Sequence, residues 1–275
     1  MYILIAILIF GLLIAVHELG HFLAARLCGV TVHEFSIGMG PAIWQREGKS
    51  GTKYALRALP IGGFCALEGE EEDSDDPGSL NNRGFFQKVF IFAAGAGMNL
   101  VAGALILLCL SMSIQAVPTD QIIGLAPEFP YQGEDGLMPG DVIYKVDGWR
   151  VRIAGDARTF IAYARDGGMD IEVIRDGRHI LLQGLERRSY TGDDGKSYTG
   201  FGIYLGYTYR EAGLADKLGY AWDSAVSYVQ TVWFSLYQLL SGGVSVSELN
   251  GPVGIVTTIN EVGAQSPTLR AALVN

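Results

Sequence analysis

Tyr2 to Val16 is an unbroken run of uncharged, almost entirely apolar residues, and the apolar character resumes after a short polar interruption and lasts to Leu27. A stretch of this length matches the roughly 20 residues that cross a bilayer as a helix, the only open-chain conformation that satisfies its own backbone in hydrocarbon. No Lys or Arg precedes the run, and no small-x-small cleavage site follows it before residue 17, so it reads as a retained span rather than a secretory signal. The interruption is His17-Glu18-Leu19-Gly20-His21. Two histidines four apart on a helix differ by about 40° in direction, so both imidazoles leave one face and can share a zinc ion. Glu18 lies on the flank of that face, where a carboxylate can take a proton from water activated by the metal. Such a five-residue pattern also arises by chance in soluble amphipathic helices. Here the same groups are carried into or against a bilayer, where ionisable side chains are costly and functional.

The remaining chain fits a membrane protein with one soluble insert. It has 275 residues, of which 49% are hydrophobic and 18% charged, and its net charge of −9 includes no clustered basic face for nucleic acid. A first spanning helix is expected over 1–27, ended by Arg26 and Gly29. Residues 28–87 read as β-hairpins around Gly38-Met39-Gly40-Pro41 and Gly48–Gly51, followed by a solvated acidic loop centred on Glu70-Glu71-Glu72-Asp73. Within it, Gly62 and Gly63 mark either a tight turn or a place where another extended chain comes close. A second span is expected over 88–116, rich in small residues from Ala94 to Gly97 that let helices approach, with Asn99 either bonding a neighbouring helix or lining a site. Residues 117–210 read as a small mixed sheet domain with a hairpin across Asp176-Gly177. Residues 211–241, aromatic and carrying Asp223, read as a third transmembrane helix, and 242–275 as a post-span segment with the fourth span absent. Arg26 follows the first span, Arg83 and Lys88 precede the second, and together they place 28–87 in the cytoplasm, with the sheet domain outside. Cys28, Cys65 and Cys109 form no C-x-x-C, and Cys28 and Cys109, in or beside apolar helices, read as packing residues.

In this order the motifs resemble the site-2 protease family of intramembrane zinc metalloproteases, and its bacterial branch that carries an inserted PDZ domain and cleaves anti-sigma factors. His17-Glu18-Leu19-Gly20-His21 matches the family zinc motif. Phe35–Pro41 and Leu59-Pro60-Ile61-Gly62-Gly63-Phe64 resemble its membrane-associated β-hairpin region, and Ala94-Gly95-Ala96-Gly97-Met98-Asn99 its second-span signature. Gly136 to Ile143 with Val146-Asp147-Gly148 is similar to a bacterial PDZ core. Ala96 stands where the family usually has proline, and the family's Leu-Asp-Gly motif, source of its third zinc ligand, does not occur in these 275 residues.

The resemblance implies a polytopic α-helical protein of the bacterial cell (inner) membrane, multi-pass, with a membrane-associated β-hairpin region and an inserted PDZ-like α+β domain. It implies Zn2+ held by His17 and His21, Glu18 as catalytic base, and substrate binding at Gly62, Gly63 and Phe64. The partners would be single-span membrane protein substrates and membrane lipid, without nucleic acid. The alternative is a membrane-tethered PDZ adaptor or pseudoprotease with an incomplete metal site.

Overall fold

The computed structural model describes residues 2–164, 167–191, 197–244 and 254. The chain divides into two compact units, one holding the residues up to Gly103 and the other Ala104–Glu248.

The first unit is built on α1 (Tyr2–Leu27) and most of α2 (Phe85–Met112). Among the described residues these are the two helices long and apolar enough to cross a membrane. Leucines are exposed all along α1, which is the profile of a helix solvated by lipid rather than of one that hides a stripe in a core. Helix α1 ends as its composition requires. Gly29 takes φ +73°, and the amide of Val30 closes onto the carbonyl of Ala25 at 2.8 Å.

Strands β1 (Val32–Glu47) and β2 (Lys53–Leu67) form the hairpin region. Tyr54 is in register with both Phe35 and Arg46, so β1 must double back between them, across Gly38 and Gly40 at φ +87° and +84°. The glycine-rich turn expected at 38–41 is present as this reversal. In the same way Phe35 is in register with both Tyr54 and Cys65, and β2 reverses through Gly62 at φ +86°. Arg57 fastens the fold, donating to Glu34 at 2.6 Å, Ser36 at 2.7 Å and the Gly40 carbonyl at 2.7 Å. Glycines set the spacing of the unit. At Gly20 the backbone of α1 lies directly against the Ala94 carbonyl of α2, and at Gly11 against the Pro60 carbonyl of β2.

The second unit holds a six-stranded antiparallel sheet of β3 (Ala116–Leu125), β4 (Val142–Val146), β5 (Trp149–Arg150), β6 (Met169–Arg175), β7 (Arg178–Leu185) and β10 (Ile203–Glu211). The main path runs β10-β3-β4-β6-β7, with β5 paired to β4. Strands β8 (Arg188–Thr191) and β9 (Ser197–Gly200) make a separate ribbon, and α3 (Asp156–Ala162) covers the sheet. The core is ordinary for a soluble domain: Ile122, Ile143, Val146, Phe160, Ile171 and Leu185 are buried. The hairpin expected across Asp176-Gly177 joins β6 to β7, with φ +48° and +76° at the two turn residues. Asp120 is buried and accepts the amides of Gly155 and Ala157, which holds the start of α3 on the sheet.

Where a third transmembrane helix is expected over 211–241, the structure has helix α4 (Leu214–Leu240). It is not among the helices apolar enough to cross a membrane. Ser224, Ser227, Phe234 and Gln238 are buried, and the side chains of Ser227 and Gln238 bond groups of the sheet domain. Asp223, which would need a partner at depth, pairs with Arg152 at 3.3 Å. The apolar count of this segment is high, but it is concentrated on one side. The post-span segment lies outside the described residues, apart from 242–244 and 254.

Candidate metal centre

The centre lies where α1, α2 and β2 meet within the first unit. His17 and His21, one turn apart on α1, bring their Nε2 atoms to 3.1 Å of each other, with ring centroids 4.8 Å apart. Two Zn–N bonds of about 2.1 Å at a tetrahedral angle would place the nitrogens roughly 3.4 Å apart, so a shift of a few tenths of an ångström admits the ion.

The tautomer is set from α2. His21 Nδ1 lies 2.8 Å from the carbonyl oxygen of Ile91, an obligate acceptor, so Nδ1 carries the proton and donates. Nε2 is thereby left with its lone pair free for a metal, the arrangement by which a partner behind a ligating imidazole orients it. Space in front of the rings comes from Gly95. A methyl group there would lie 2.7 Å from His17 Nε2 and closer still to His21 Nε2. Gly97, two residues on, faces open space.

Glu18 is backed by β2. Gly63 pairs with Ile37 in the sheet, and a Cβ at Gly63 would stand 3.5 Å from Glu18 Cγ and 2.8 Å from the Ser36 carbonyl. The two alternatives left open for this glycine pair therefore separate: Gly62 occupies the chain reversal, and Gly63 is a point of close approach, made by Glu18 of the same chain. Phe64 follows, with the Arg57 guanidinium 5.1 Å from its ring centre. Cys65 comes next on β2. Burial pushes its thiol up to about 12, and the carboxylates of Glu18 and Glu70 add to the effect, which keeps it a neutral thiol packed in the first unit's apolar cluster.

A cleft of about 280 Å³ opens beside His17, lined by Phe10, Leu13, Ile14 and Asn99. Asn99 Oδ1 is buried there without a hydrogen-bond partner. Among the described residues no third histidine, cysteine or acid joins His17 and His21. His33 is exposed and bonds Glu68, and His179 bonds Glu172 at 2.7 Å.

The residues thus fit a zinc ion in donor type, tautomer and space. Sequence reasoning missed the carbonyl of Ile91, because a backbone acceptor has no signature in the side-chain pattern. It marked Gly95 only as one small residue in a run of several.

Two converging imidazoles with a carboxylate on the same helix define the class as a metallopeptidase centre. The chain belongs to peptidase family M50, the family of the site-2 proteases, whose sequence pattern matches residues 5–275. A Clostridium perfringens protein that carries a zinc metalloprotease name is 33% identical over 258 residues, covering 93% of this chain and 74% of the relative. One from Clostridium acetobutylicum, with the same kind of name, is 32% identical and covers 92% and 73%. A metalloprotease of Caulobacter vibrioides is 26% identical and covers 97% and 75%. The chain is a membrane protein, by its family and its two apolar helices.

Proposed function

We propose that this metalloprotease, with zinc as its metal, cleaves single-span membrane proteins, anti-sigma factors among them, within the plane of a bacterial inner membrane that it crosses more than once. The observation that carries the reading is the convergence of the His17 and His21 Nε2 atoms, beside Glu18, onto space kept open by Gly95 in a chain with two apolar helices.

Bound zinc supplies Lewis acidity to the scissile carbonyl and to water. His17 and His21 hold it, with the second ring aimed by Ile91. Glu18 takes the proton from water and returns it to the leaving amine, a role for which the packing of Gly63 holds its stem in place. A helical substrate hides its carbonyls in hydrogen bonds and must be held extended to be cut. Among the described residues, 63–67 of β2 pair with strand residues on one side only, with 32–37, and offer a strand edge next to Glu18 for that purpose. We read the sheet unit as a PDZ-like filter on the outer side, with 28–87 cytoplasmic.

The test is Glu18→Gln in reconstituted membranes, with a single-span substrate shorn of its outer domain. Zinc content should stay near one per chain while cleavage falls about 10²- to 10⁴-fold. Unchanged cleavage would refute the assignment of the base, and loss of zinc together with activity would make Glu18 a ligand instead.

A further inference from the structure

We infer that Arg57 is a positioning residue: it fixes the register of residues 63–67 beside Glu18 and thereby selects which peptide bond of an extended substrate is cut. The inference rests on the reading of 63–67 as the strand edge that receives the substrate.

Gly63 faces α1, where an added Cβ would meet Glu18 and Ile14. Successive strand residues alternate between faces, so Phe64 points away from α1. On that far face one side chain ties three neighbouring stretches together. From the 53–57 stretch, the Arg57 guanidinium donates through Nε to Ser36 Oγ at 2.7 Å and through Nη2 to Glu34 Oε1 at 2.6 Å. It also lies 5.1 Å from the ring centre of Phe64, which pairs with Ser36 in the sheet. Its Nη1 donates to the Gly40 carbonyl at 2.7 Å, beyond the reversal of β1. All three guanidinium nitrogens are thus used. A planar fork that is bonded and stacked at once has one geometry, which the single ammonium of a lysine cannot reproduce.

The backbone ladder specifies register weakly here. Residues 32–37 are shared between 53–56 and 63–67, with repeated shifts of register. The pairing of 37 with 63 adjoins the reversals at Gly38 and Gly62, where backbone freedom is greatest. A strand added to 63–67 takes its register from that segment, so each residue by which the segment slips moves the substrate one residue past the metal centre. A slip that brought Phe64 or Cys65 to the place of Gly63 would also press a side chain on Glu18, whose Cγ is 3.5 Å from a Cβ there. The Arg57 and Glu34 side chains are only 23% and 21% exposed. A largely buried ion pair adds little net stability, but it excludes arrangements in which the charges lose each other, which is how buried polar groups hold a register.

The test compares Arg57→Met, which keeps the stem and removes the fork, with Arg57→Lys, which keeps a charge for Glu34. Each whole chain is reconstituted in membranes with a single-span substrate shorn of its outer domain, and the cut ends are located by mass spectrometry. Register is read separately, with Cys28 and Cys109 replaced by alanine, from the disulfide that Phe35→Cys forms with Cys65, its partner across the sheet. Arg57→Met should lower the disulfide yield several-fold and spread cleavage over bonds about one or two residues from the native one. Its kcat/KM should fall about 10- to 100-fold with zinc retained, and Arg57→Lys should lie between. An unchanged disulfide yield would overturn the inference. A lowered yield with cleavage at the native bond alone would sink the strand-edge reading itself, and the selecting role with it. Loss of zinc or of all cleavage from both variants would make Arg57 a support of the metal centre and overturn the inference as well.

Discussion

The two units bury their residues by opposite means. In the sheet unit, large apolar side chains such as Phe160 and Ile171 fill a core, and the buried carboxylates are compensated, Asp141 by Arg175 and Asp120 by the amides of Gly155 and Ala157. In the first unit the close contacts are made by missing side chains. Gly11, Gly20, Gly63 and Gly95 each let a backbone carbonyl or functional group come nearer than a Cβ would allow, while many large residues of α1 and α2 face outward and only a small cluster around Val30, Leu67, Leu80 and Ile91 is buried. The difference follows the solvent. Water drives apolar side chains together, whereas lipid gives them no reason to leave, so helices there associate through close backbone approach and a few polar contacts.

Breaking the sheet unit should take the loss of a charge partner. Arg175 donates to both Asp141 oxygens, at 2.6 and 2.7 Å, and to the carbonyls of Glu134 and Gly136. Arg175→Ala strands a carboxylate that is 1% exposed and should destabilise this unit by about 3–5 kcal/mol. Hydrogen exchange should rise in β4 and β6 while zinc binding is kept; loss of both together would show that the units are one cooperative body.

In the first unit the sensitive change is an added side chain. Gly63→Val presses on Glu18 and on the Ser36 carbonyl, and should lower the cleavage rate by about 10²-fold with zinc retained, as expected for a base displaced by a fraction of an ångström or more. Gly95→Ala should weaken zinc affinity about 10- to 100-fold by crowding both imidazoles, whereas Gly97→Ala, facing open space, should leave it unchanged. Equal effects of the two alanines in a zinc titration would mean that helix propensity, and not the space before the rings, governs the site.

The smallest effect belongs to a surface network. Burial pushes the Glu172 carboxyl up, but the hydrogen bonds from Lys145 and His179 outweigh it and hold the group below the usual carboxylate range. A carboxyl with a lowered folded pKa adds stability that is complete above its unfolded value and disappears as pH falls through the folded one. The stability difference between the native chain and Glu172→Gln should thus be under about 1 kcal/mol at pH 7 and absent in strong acid. A difference that grows on acidification would reverse the sign argued here.

Much of the first unit was legible because its constraints are local. The uncharged run, the i, i+4 histidines and the glycines of the chain reversals each act through neighbours within a few residues. The segment expected as a third span was less legible, because a stretch rich in Trp, Leu and Val has the same apolar content whether those residues ring a helix or line one side of it. Ser224, Ser227 and Gln238 hinted at a polar side, but what that side was for depended on Asp156 and Tyr163, which lie 75 or fewer positions away in the chain and directly against it in space.

The sequence by itself determined that two helices meet lipid and that His17, Glu18 and His21 share one end of the first, since hydropathy and helical period need no partner to act. Only the tertiary structure decided which nitrogen of His21 is free and which glycine of the Ala94–Gly97 run leaves space before the rings. It alone also decided which face of α4 is spoken for. Each of these depends on an atom brought close from a distant part of the chain, the carbonyl of Ile91, the backbone of α2 or the hydroxyl of Ser227 against Asp156, and no residue pattern encodes such a distance.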